Sequence, residues 1–154
     1  MVNKIGERKQ KMIVNRRIVI ISAIVLTVVG IANIYWAWTN RKPLCYRDSC
    51  ANFDPIHRKC DGDSTTTVKN KFQETTIELR YSSKCDASWS KAIVPYRSIL
   101  YVEDAQGKQY GKWEVPNDGI SSAHFGNMGA GRKLKACVQL PNNKHLCTQL
   151  ADSQ

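Results

Sequence analysis

The feature that most constrains this chain is an uncharged, apolar stretch near its N-terminus. Ile18 to Trp38 contains no charged side chain over 21 positions. As a helix with a rise of about 1.5 Å per residue, this stretch would measure about 31 Å, close to the thickness of a bilayer's hydrocarbon core. Tyr35 and Trp36 lie with Trp38 at its C-terminal end, where aromatic side chains favour the headgroup layer. The stretch therefore predicts a transmembrane signal-anchor helix over residues 18–38.

The charges before this helix predict its orientation. The preceding segment carries one acidic residue, Glu7, and six basic residues: Lys4, Arg8, Lys9, Lys11, Arg16 and Arg17. Lys and Arg are enriched on the cytoplasmic side of membrane helices, so residues 1–17 are predicted to form a basic cytoplasmic tail. Everything after Asn40 is then extracytoplasmic, and the protein is predicted to cross the cell membrane once.

Two alternatives compete with this anchor. The first is a cleavable signal peptide, with Ile18–Val29 as the apolar region and with Gly30 and Ala32 as small residues at the cleavage site. The apolar run continues past that site into the aromatic residues, which favours an uncleaved anchor. The second is a helix buried in a soluble core, which the length of the run disfavours.

The net charge of the chain has to be divided between the two sides of the predicted membrane helix before it is interpreted. The chain has 154 residues and a formal net charge of +10, which alone would suggest a polyanionic partner such as nucleic acid. The N-terminal tail accounts for half of that charge, and the rest is mixed with acidic residues over residues 39–154. An exported domain rarely meets nucleic acid and no reader motif is present, so no nucleic-acid partner is predicted.

The cysteines support export. All six follow the apolar stretch: Cys45, Cys50, Cys60, Cys85, Cys137 and Cys147. An even number confined to one side of a membrane predicts three disulfides made in an oxidising compartment. Cys137 and Cys147 flank a turn, Pro141–Lys144, so they would face each other across a hairpin and are expected to pair.

The pairing of the other four cysteines stays open at this level. A Cys45–Cys50 bond is slightly favoured, but either residue could equally pair with Cys60 or Cys85. The gaps do not repeat the close cysteine pairs of structural zinc sites, and no C-x-x-C motif occurs. Neither a metal site nor a redox dithiol is therefore predicted.

The exported part has the patterns of a β-rich domain. Thr75–Tyr81 alternates between apolar and polar residues, which predicts a half-buried strand. Ser82–Ile93 has apolar residues at helical spacing, so it is predicted to form a short amphipathic helix that buries Trp89 and ends before Pro95. Further strands are predicted over Ser98–Glu103, Lys108–Val115, Ser121–Phe125, Leu134–Leu140 and His145–Leu150.

These elements predict a mainly β fold. It would be a small, disulfide-stapled barrel or sandwich with one short amphipathic helix, preceded by a single transmembrane helix. The expected organisation is a basic cytoplasmic tail (1–17), a transmembrane helix (18–38), a cysteine-containing juxtamembrane loop region (39–64) and an extracytoplasmic β-rich domain (65–154).

Two motifs resemble those of a known family. The first is Cys45-x4-Cys50, followed by Asp54-Pro55 and Cys60; the second is the run Leu79-Arg80-Tyr81-Ser82-x2-Cys85-x-Ala87-x-Trp89. Together they resemble the YjfA-like proteins, small exported bacterial domains of unknown function. The resemblance covers residues 45–93 and implies a bacterial, exported, disulfide-stapled domain. It implies no activity and no catalytic residues.

Groups suited to catalysis or metal binding are few. His57, His124 and His145 are scattered, and no nucleophile motif accompanies them, so no catalytic residue and no cofactor is predicted. The carboxylates of Asp61 and Asp63 could bind calcium, but the later ligands of an EF-hand are missing, which favours a polar turn.

Basic and aromatic side chains provide the remaining candidate site. The predicted ligand surface consists of Arg80, Tyr81, Trp89, Arg132, Lys133 and Lys135, with Lys144 as an extension of the basic stripe. Such a surface would suit an anionic cell-wall polymer, lipid headgroups or another envelope protein. The competing interpretation is structural: Tyr81 packs in the core, Arg80 pairs with a carboxylate across the sheet, and the cations are simply solvated.

These observations favour a non-enzymatic binding or interaction module of the bacterial cell envelope. One alternative is a secreted effector or membrane-active toxin, released after cleavage of the N-terminal helix. A small envelope hydrolase is a further alternative.

Overall fold

The computed structural model describes residues 26–37, 42–73, 75–117 and 123–152. The chain divides into two compact units, Met1–Asn40 and Arg41–Gln154. In the first unit, residues 26–37 are helical and expose large apolar side chains such as Leu26 and Ile34. Among the described residues, no helix is long and apolar enough to cross a membrane. The predicted tail (1–17) and residues 18–25 and 38 of the predicted transmembrane helix lie outside the described residues.

The second unit contains two antiparallel β-sheets. The strands are β1 (Thr65–Phe72), β2 (Thr75–Ser82), β3 (Ala87–Ala92), β4 (Ile99–Glu103), β5 (Gln109–Glu114), β6 (His124–Phe125), β7 (Gly129–Ala130), β8 (Lys135–Gln139) and β9 (His145–Cys147). The first sheet has the order β1-β2-β3-β6, and β7 pairs with the other end of β3. The second sheet has the order β5-β4-β8-β9.

The two sheets pack against each other as a sandwich, and they do not close into a barrel. The shared core is built from alternate residues of the facing strands, and its larger members are Ile77, Leu79, Leu100, Val102 and Val138. Each of these side chains is fully buried, and such burial stabilises the fold by about 1.5–3 kcal/mol per side chain. Ile77 and Leu79 face the core as the alternation of Thr75–Tyr81 predicts.

The segment predicted as an amphipathic helix is strand β3, so that prediction is wrong. β3 pairs with β2 on one side and with β6 and β7 on the other. Its burial is nearly continuous because both faces are covered, and a strand covered on both faces loses the alternation that would identify it. Trp89 is nevertheless buried, as expected, at 1% exposure.

The cysteine-containing segment, residues 42–64, covers the outer face of the first sheet and is called the cover below. It belongs to the same compact unit as the strands. It includes a short 3-10 helix, Arg47–Cys50. A second apolar cluster lies beneath this cover, formed by Cys50, Cys60, Cys85, Ala87, Trp89 and Met128. Backbone hydrogen bonds hold the cover in place: Arg47 N donates to Cys85 O at 2.7 Å, and Asn52 N donates to Met128 O at 2.8 Å.

Three disulfides join the six cysteines. Cys137 lies opposite Cys147 in the β8–β9 pairing, and the bond predicted between them is confirmed. The other two disulfides are Cys45–Cys50, the pair that was slightly favoured, and Cys60–Cys85. The Cys60–Cys85 bond attaches the cover to the turn between β2 and β3.

Candidate ligand-binding cleft

An open cleft of about 650 Å³ lies where segments from both sheets meet the cysteine-containing cover. Its polar lining residues are Arg47, Asp48, Tyr81, Asp86, Asp104, Lys108, Tyr110, Arg132 and Lys133, and its smaller or apolar ones are Ala51, Ala130, Gly131 and Leu134. The lining therefore combines four cations, three carboxylates and two tyrosines.

One side of the cleft is organised around Tyr81, near the end of β2. Its hydroxyl donates a hydrogen bond to Asp86 Oδ1 at 3.0 Å, and Asp86 Oδ2 also pairs with Arg47 Nε at 3.5 Å. The guanidinium of Arg132 lies over the tyrosine ring, 5.2 Å from its centroid. Burial, followed by the hydrogen bond and charge of Asp86, raises the pKa of Tyr81, so its hydroxyl remains a donor at neutral pH.

A similar arrangement from the second sheet forms another part of the lining. The Tyr110 hydroxyl donates to Asp104 Oδ2 at 2.9 Å, and the Lys108 ammonium lies 5.1 Å from the Tyr110 ring centroid. Asp104 Oδ1 accepts the backbone N–H groups of Gln106 and Lys108, each at 2.9 Å. The pKa of Asp104 lies below its ordinary value, chiefly because of the Lys108 backbone hydrogen bond, with Tyr110 adding to the effect. Each tyrosine is thus held by a carboxylate and faces a cation.

The cleft has more unused donors than unused acceptors. Two of the three lining carboxylates, Asp86 and Asp104, already accept hydrogen bonds from within the protein, and only Asp48 has neither an ion pair nor a side-chain hydrogen bond among the described residues. In contrast, Arg132 Nε is buried without a hydrogen-bond partner in the described part of the chain. Neither Arg132 nor Lys133 forms an ion pair with any described residue. A guanidinium with free donors complements a carboxylate or phosphate group, so the cleft is chemically suited to an anion.

A short loop after β7 delivers the two unpaired cations to the cleft. Gly131 has a φ of +77°, a conformation that glycine adopts without strain. Its N–H donates to Asp86 O at 2.8 Å, and its carbonyl accepts the Ser88 hydroxyl at 2.8 Å. The loop is therefore fixed to the β2–β3 turn and to β3, and Arg132 and Lys133 follow directly.

The structure brings together only part of the ligand surface predicted from the sequence. Tyr81, Arg132 and Lys133 all line the cleft. Lys135 does not, because its ammonium pairs with Glu103 Oε1 at 2.7 Å on the neighbouring strand of the second sheet. Lys144 is exposed in the turn between β8 and β9. The predicted basic stripe is consequently divided among three places.

Two other residues of the predicted surface have structural roles. Trp89 is only 1% exposed beneath the cysteine-containing cover, so it belongs to the core and cannot line a ligand surface. Arg80 donates to Thr66 Oγ1 and to both the carbonyl and the hydroxyl of Ser64, each at 2.8 Å. These bonds tie β2 to the start of β1, and they replace the carboxylate partner that the structural interpretation expected for Arg80.

Six polar residues of the cleft were not singled out from the sequence: Arg47, Asp48, Asp86, Asp104, Lys108 and Tyr110. Asp104 directly follows the predicted strand Ser98–Glu103, and Lys108 and Tyr110 lie in the predicted strand Lys108–Val115. These residues come together only when the two sheets pack, and the local sequence pattern does not predict that packing.

The three histidines lie on different elements. His57 lies in a separate small hollow of the cover, with Phe53 and Arg58. The His124 ring packs on Trp113 with 5.8 Å between centroids, and His145 Nδ1 hydrogen-bonds to the Tyr101 hydroxyl at 3.0 Å. None of them is among the described residues that line the cleft.

Asp63, one of the two carboxylates considered for calcium, is fully engaged within the protein. It accepts the hydroxyls of Ser82 (2.6 Å) and Ser83 (3.1 Å) and the backbone N–H of Lys84 (2.9 Å). Burial raises the pKa of Asp63, but these hydrogen bonds outweigh it and hold the pKa below its ordinary value. The carboxylate therefore attaches the segment before β1 to the β2–β3 turn.

The fold and the cleft define a class of protein: a small, disulfide-stapled β-sandwich with an open, donor-rich cleft. The family model described as a protein of unknown function (DUF2690) matches residues 48–133, more than half of the chain. The protein belongs to this family. The matched range begins and ends at cleft residues, Asp48 and Lys133. No curated protein and no solved structure matches the chain.

Proposed function

We propose that this protein is a non-enzymatic binding module of the bacterial cell envelope that recognises an anionic wall polymer through its cleft. The observation that carries the proposal is the imbalance of hydrogen-bonding capacity in the lining. Arg132 and Lys133 form no ion pair with any described residue, and Arg132 Nε has no hydrogen-bond partner, whereas two of the three lining carboxylates, Asp86 and Asp104, already accept hydrogen bonds and only Asp48 does not. Phosphate or carboxylate groups spaced along a polymer would supply the missing acceptors.

A polymer suits the shape and lining of the cleft better than a lipid does. The cleft is open and about 650 Å³ in volume, so it could hold a segment of a longer chain. Its apolar lining is limited to small side chains and Leu134, which offer little contact area for an acyl chain. Lipid headgroups, which share the phosphate chemistry, are therefore an outcome to be distinguished by experiment.

The proposed location is outside the membrane, with the N-terminus in the cytoplasm and a single-pass anchor over Ile18–Trp38. All six cysteines are in disulfides, which suits an oxidising compartment. The described helix at residues 26–37 exposes Leu26, Ile31 and Ile34, an apolar surface that is costly in water and favourable in lipid. The resemblance of residues 45–93 to the YjfA-like proteins implies export as well.

A binding role fits the lining better than a hydrolytic one. The described residues of the cleft include no histidine, serine, threonine or cysteine, the side chains that most often act as nucleophile or general base. The carboxylates of Asp86 and Asp104 are each held by a tyrosine hydroxyl. Because these bonds hold the two carboxylates in place, the carboxylates are better suited to recognising a ligand than to catalysis.

The proposal can be tested by measuring binding to poly(glycerol phosphate) with the full chain in a non-ionic detergent. The cleft variant is Arg132→Gln/Lys133→Gln. The matched control is Lys42→Gln/Lys144→Gln, which removes the same charge from exposed positions outside the cleft. Losing charge-assisted contacts is expected to weaken binding at least about tenfold in the cleft variant. The control is expected to lose about twofold or less.

Three results would contradict the proposal. Equal losses in the two variants would show that binding follows the general charge of the protein. Absence of binding at low ionic strength would exclude this polymer class. Cleft-dependent binding to anionic lipid vesicles, without binding to the polymer, would identify the ligand as a headgroup.

A further inference from the structure

Four of the six cysteines form one compact group, here called the four-sulfur cluster: Cys45, Cys50, Cys60 and Cys85. Their Sγ atoms all lie within 4.8 Å of one another. Cys45 Sγ and Cys60 Sγ, which belong to different disulfides, are 3.7 Å apart. The two disulfides are therefore in contact, although their residues span 40 positions of the sequence, from 45 to 85.

The dimensions of this cluster match those of a tetrahedral zinc site. Four thiolates at a Zn–S distance of about 2.3 Å lie about 3.8 Å from one another. The Cys45–Cys60 separation already has this value. Once the two disulfides are opened, the sulfurs of each formerly bonded pair must move apart to reach the same spacing. Cys45 and Cys50 lie close in the sequence, with four residues between them, and the β2–β3 turn brings Cys85 to Cys60.

The surroundings of the cluster are suitable for a structural metal site. Cys50, Cys60 and Cys85 are fully buried, and the apolar cluster around them includes Trp89 and Met128. Cys45 is only partly buried, and four protein ligands would leave no open coordination position, as in structural zinc sites.

We propose that the four-sulfur cluster, when both of its disulfides are reduced, binds one Zn²⁺ through four thiolates. The metal would then keep the cysteine-containing cover attached to the first sheet in a reducing environment, as the disulfides do in an oxidising one. An external thiol or phosphine reductant gives two electrons to each disulfide, and two protons from solvent complete the two thiols. Zn²⁺ then displaces the four thiol protons to solvent as the four Zn–S bonds form.

A second group of possible metal ligands must be eliminated so that the titration reports only on the four-sulfur cluster. Glu103, Cys137 and Cys147 also lie within 4.8 Å of one another. This group offers only three ligands, and the Glu103 carboxylate already pairs with Lys135 at 2.7 Å. A Cys137→Ser/Cys147→Ser background eliminates these thiols and leaves the four-sulfur cluster intact.

The test uses the full chain with this background, in non-ionic detergent without oxygen, after reduction with a water-soluble phosphine. Each phosphine gives an electron pair to one disulfide and takes its oxygen from one water, whose protons go to the two sulfurs. Titration with Co²⁺ should give one equivalent of the intense visible absorption of tetrahedral sulfur coordination, and one equivalent of Zn²⁺ should abolish it. Adding Cys50→Ser should remove this spectrum, whereas His57→Ala should retain it.

Other results would overturn the proposal. These are the absence of tetrahedral absorption, a stoichiometry that Cys50→Ser leaves unchanged, or failure of Zn²⁺ to displace Co²⁺. If the reduced chain loses its β-sheet circular dichroism without metal, one equivalent of Zn²⁺ should restore it, and failure to do so would also overturn the proposal. Polymer binding by the oxidised chain is a separate measurement, so the two proposals fail independently.

Discussion

Three consecutive residues at the end of β2 connect different parts of the domain. Arg80 binds Ser64 and Thr66 at the start of β1. Tyr81 binds Asp86 in the cleft, and the buried hydroxyl of Ser82 donates to Asp63 while accepting the backbone N–H of Cys85. The residues of the Arg-Tyr-Ser motif therefore attach the end of β2 to three neighbouring segments.

Asp63 is expected to contribute to stability in a pH-dependent way. Asp63→Asn weakens the three hydrogen bonds it accepts, so the free energy of unfolding should fall by about 1 kcal/mol at neutral pH, a modest value because the group is partly exposed. Its pKa is lowered in the folded state. The contribution is therefore present above the unfolded pKa of about 3.9 and is lost as the pH falls through the folded pKa. Urea unfolding at neutral and acidic pH measures this difference.

The matched control for that experiment is Asp61→Asn. Asp61 is exposed, and only its backbone carbonyl accepts hydrogen bonds in the described structure. Its substitution should change the free energy of unfolding by less than about 0.5 kcal/mol. Equal effects of the two substitutions, or an Asp63→Asn effect that persists at acidic pH, would show that the carboxylate does not act as described.

At the scale of single elements, local signals predict the hairpins well. The turn over Asp104–Gly107 closes through a hydrogen bond from Asp104 N to Lys108 O at 3.0 Å, as its composition indicates. β3 was misassigned because coverage on both faces removes the alternation. β1 was not identified, although its run of β-branched residues beginning at Thr65 was an available signal. β7 has two residues and exists only because it pairs with β3.

Gly111 is expected to be essential to the bend of β5. It has a φ of +63°, and an added Cβ would collide with the backbone carbonyl of Asn127. Gly107 also has a positive φ, +82°, but faces open space. Gly107→Ala should therefore cost about 1–2 kcal/mol, the price of the left-handed conformation alone.

Gly111→Ala should cost at least about 2 kcal/mol more than Gly107→Ala, because the collision is with backbone that cannot rotate away. Chemical unfolding of the two variants gives the comparison directly. Similar midpoints would mean that β5 and the segment before β7 are not as closely packed as described.

At the scale of the whole molecule, the cysteine-containing cover and the cleft depend on long-range packing. The mainly β class and the disulfide pair Cys137–Cys147 followed from local patterns and from cysteine count. The cleft did not, because its lining comes from segments between Arg47 and Leu134 that meet only when the sheets pack. The four-sulfur cluster was not predicted either, because its cysteines are far apart in the sequence and their spacing alone disfavours a zinc site.

The Cys60–Cys85 disulfide is expected to matter more than the hairpin disulfide. It closes a loop with a sequence separation of 25, compared with 10 for Cys137–Cys147. Its removal as Cys60→Ala/Cys85→Ala should lower the free energy of unfolding by about 3–5 kcal/mol, and Cys137→Ala/Cys147→Ala by about 2–3 kcal/mol. The first variant should also become sensitive to proteolysis within residues 42–64, since that bond attaches the cover. The opposite order of stability would contradict the role given to the cover.

Amide chemical-shift mapping is the most direct way to test whether the cleft is the ligand site. The isotopically labelled full chain in detergent would be titrated with poly(glycerol phosphate), with inorganic phosphate as a monomeric comparison. The largest saturable shifts are expected at Gly131, Arg132, Lys133 and Tyr81. Shifts confined to the Lys144 turn or to the separate hollow at Phe53 and Arg58, with the cleft amides unmoved, would show that the ligand binds elsewhere.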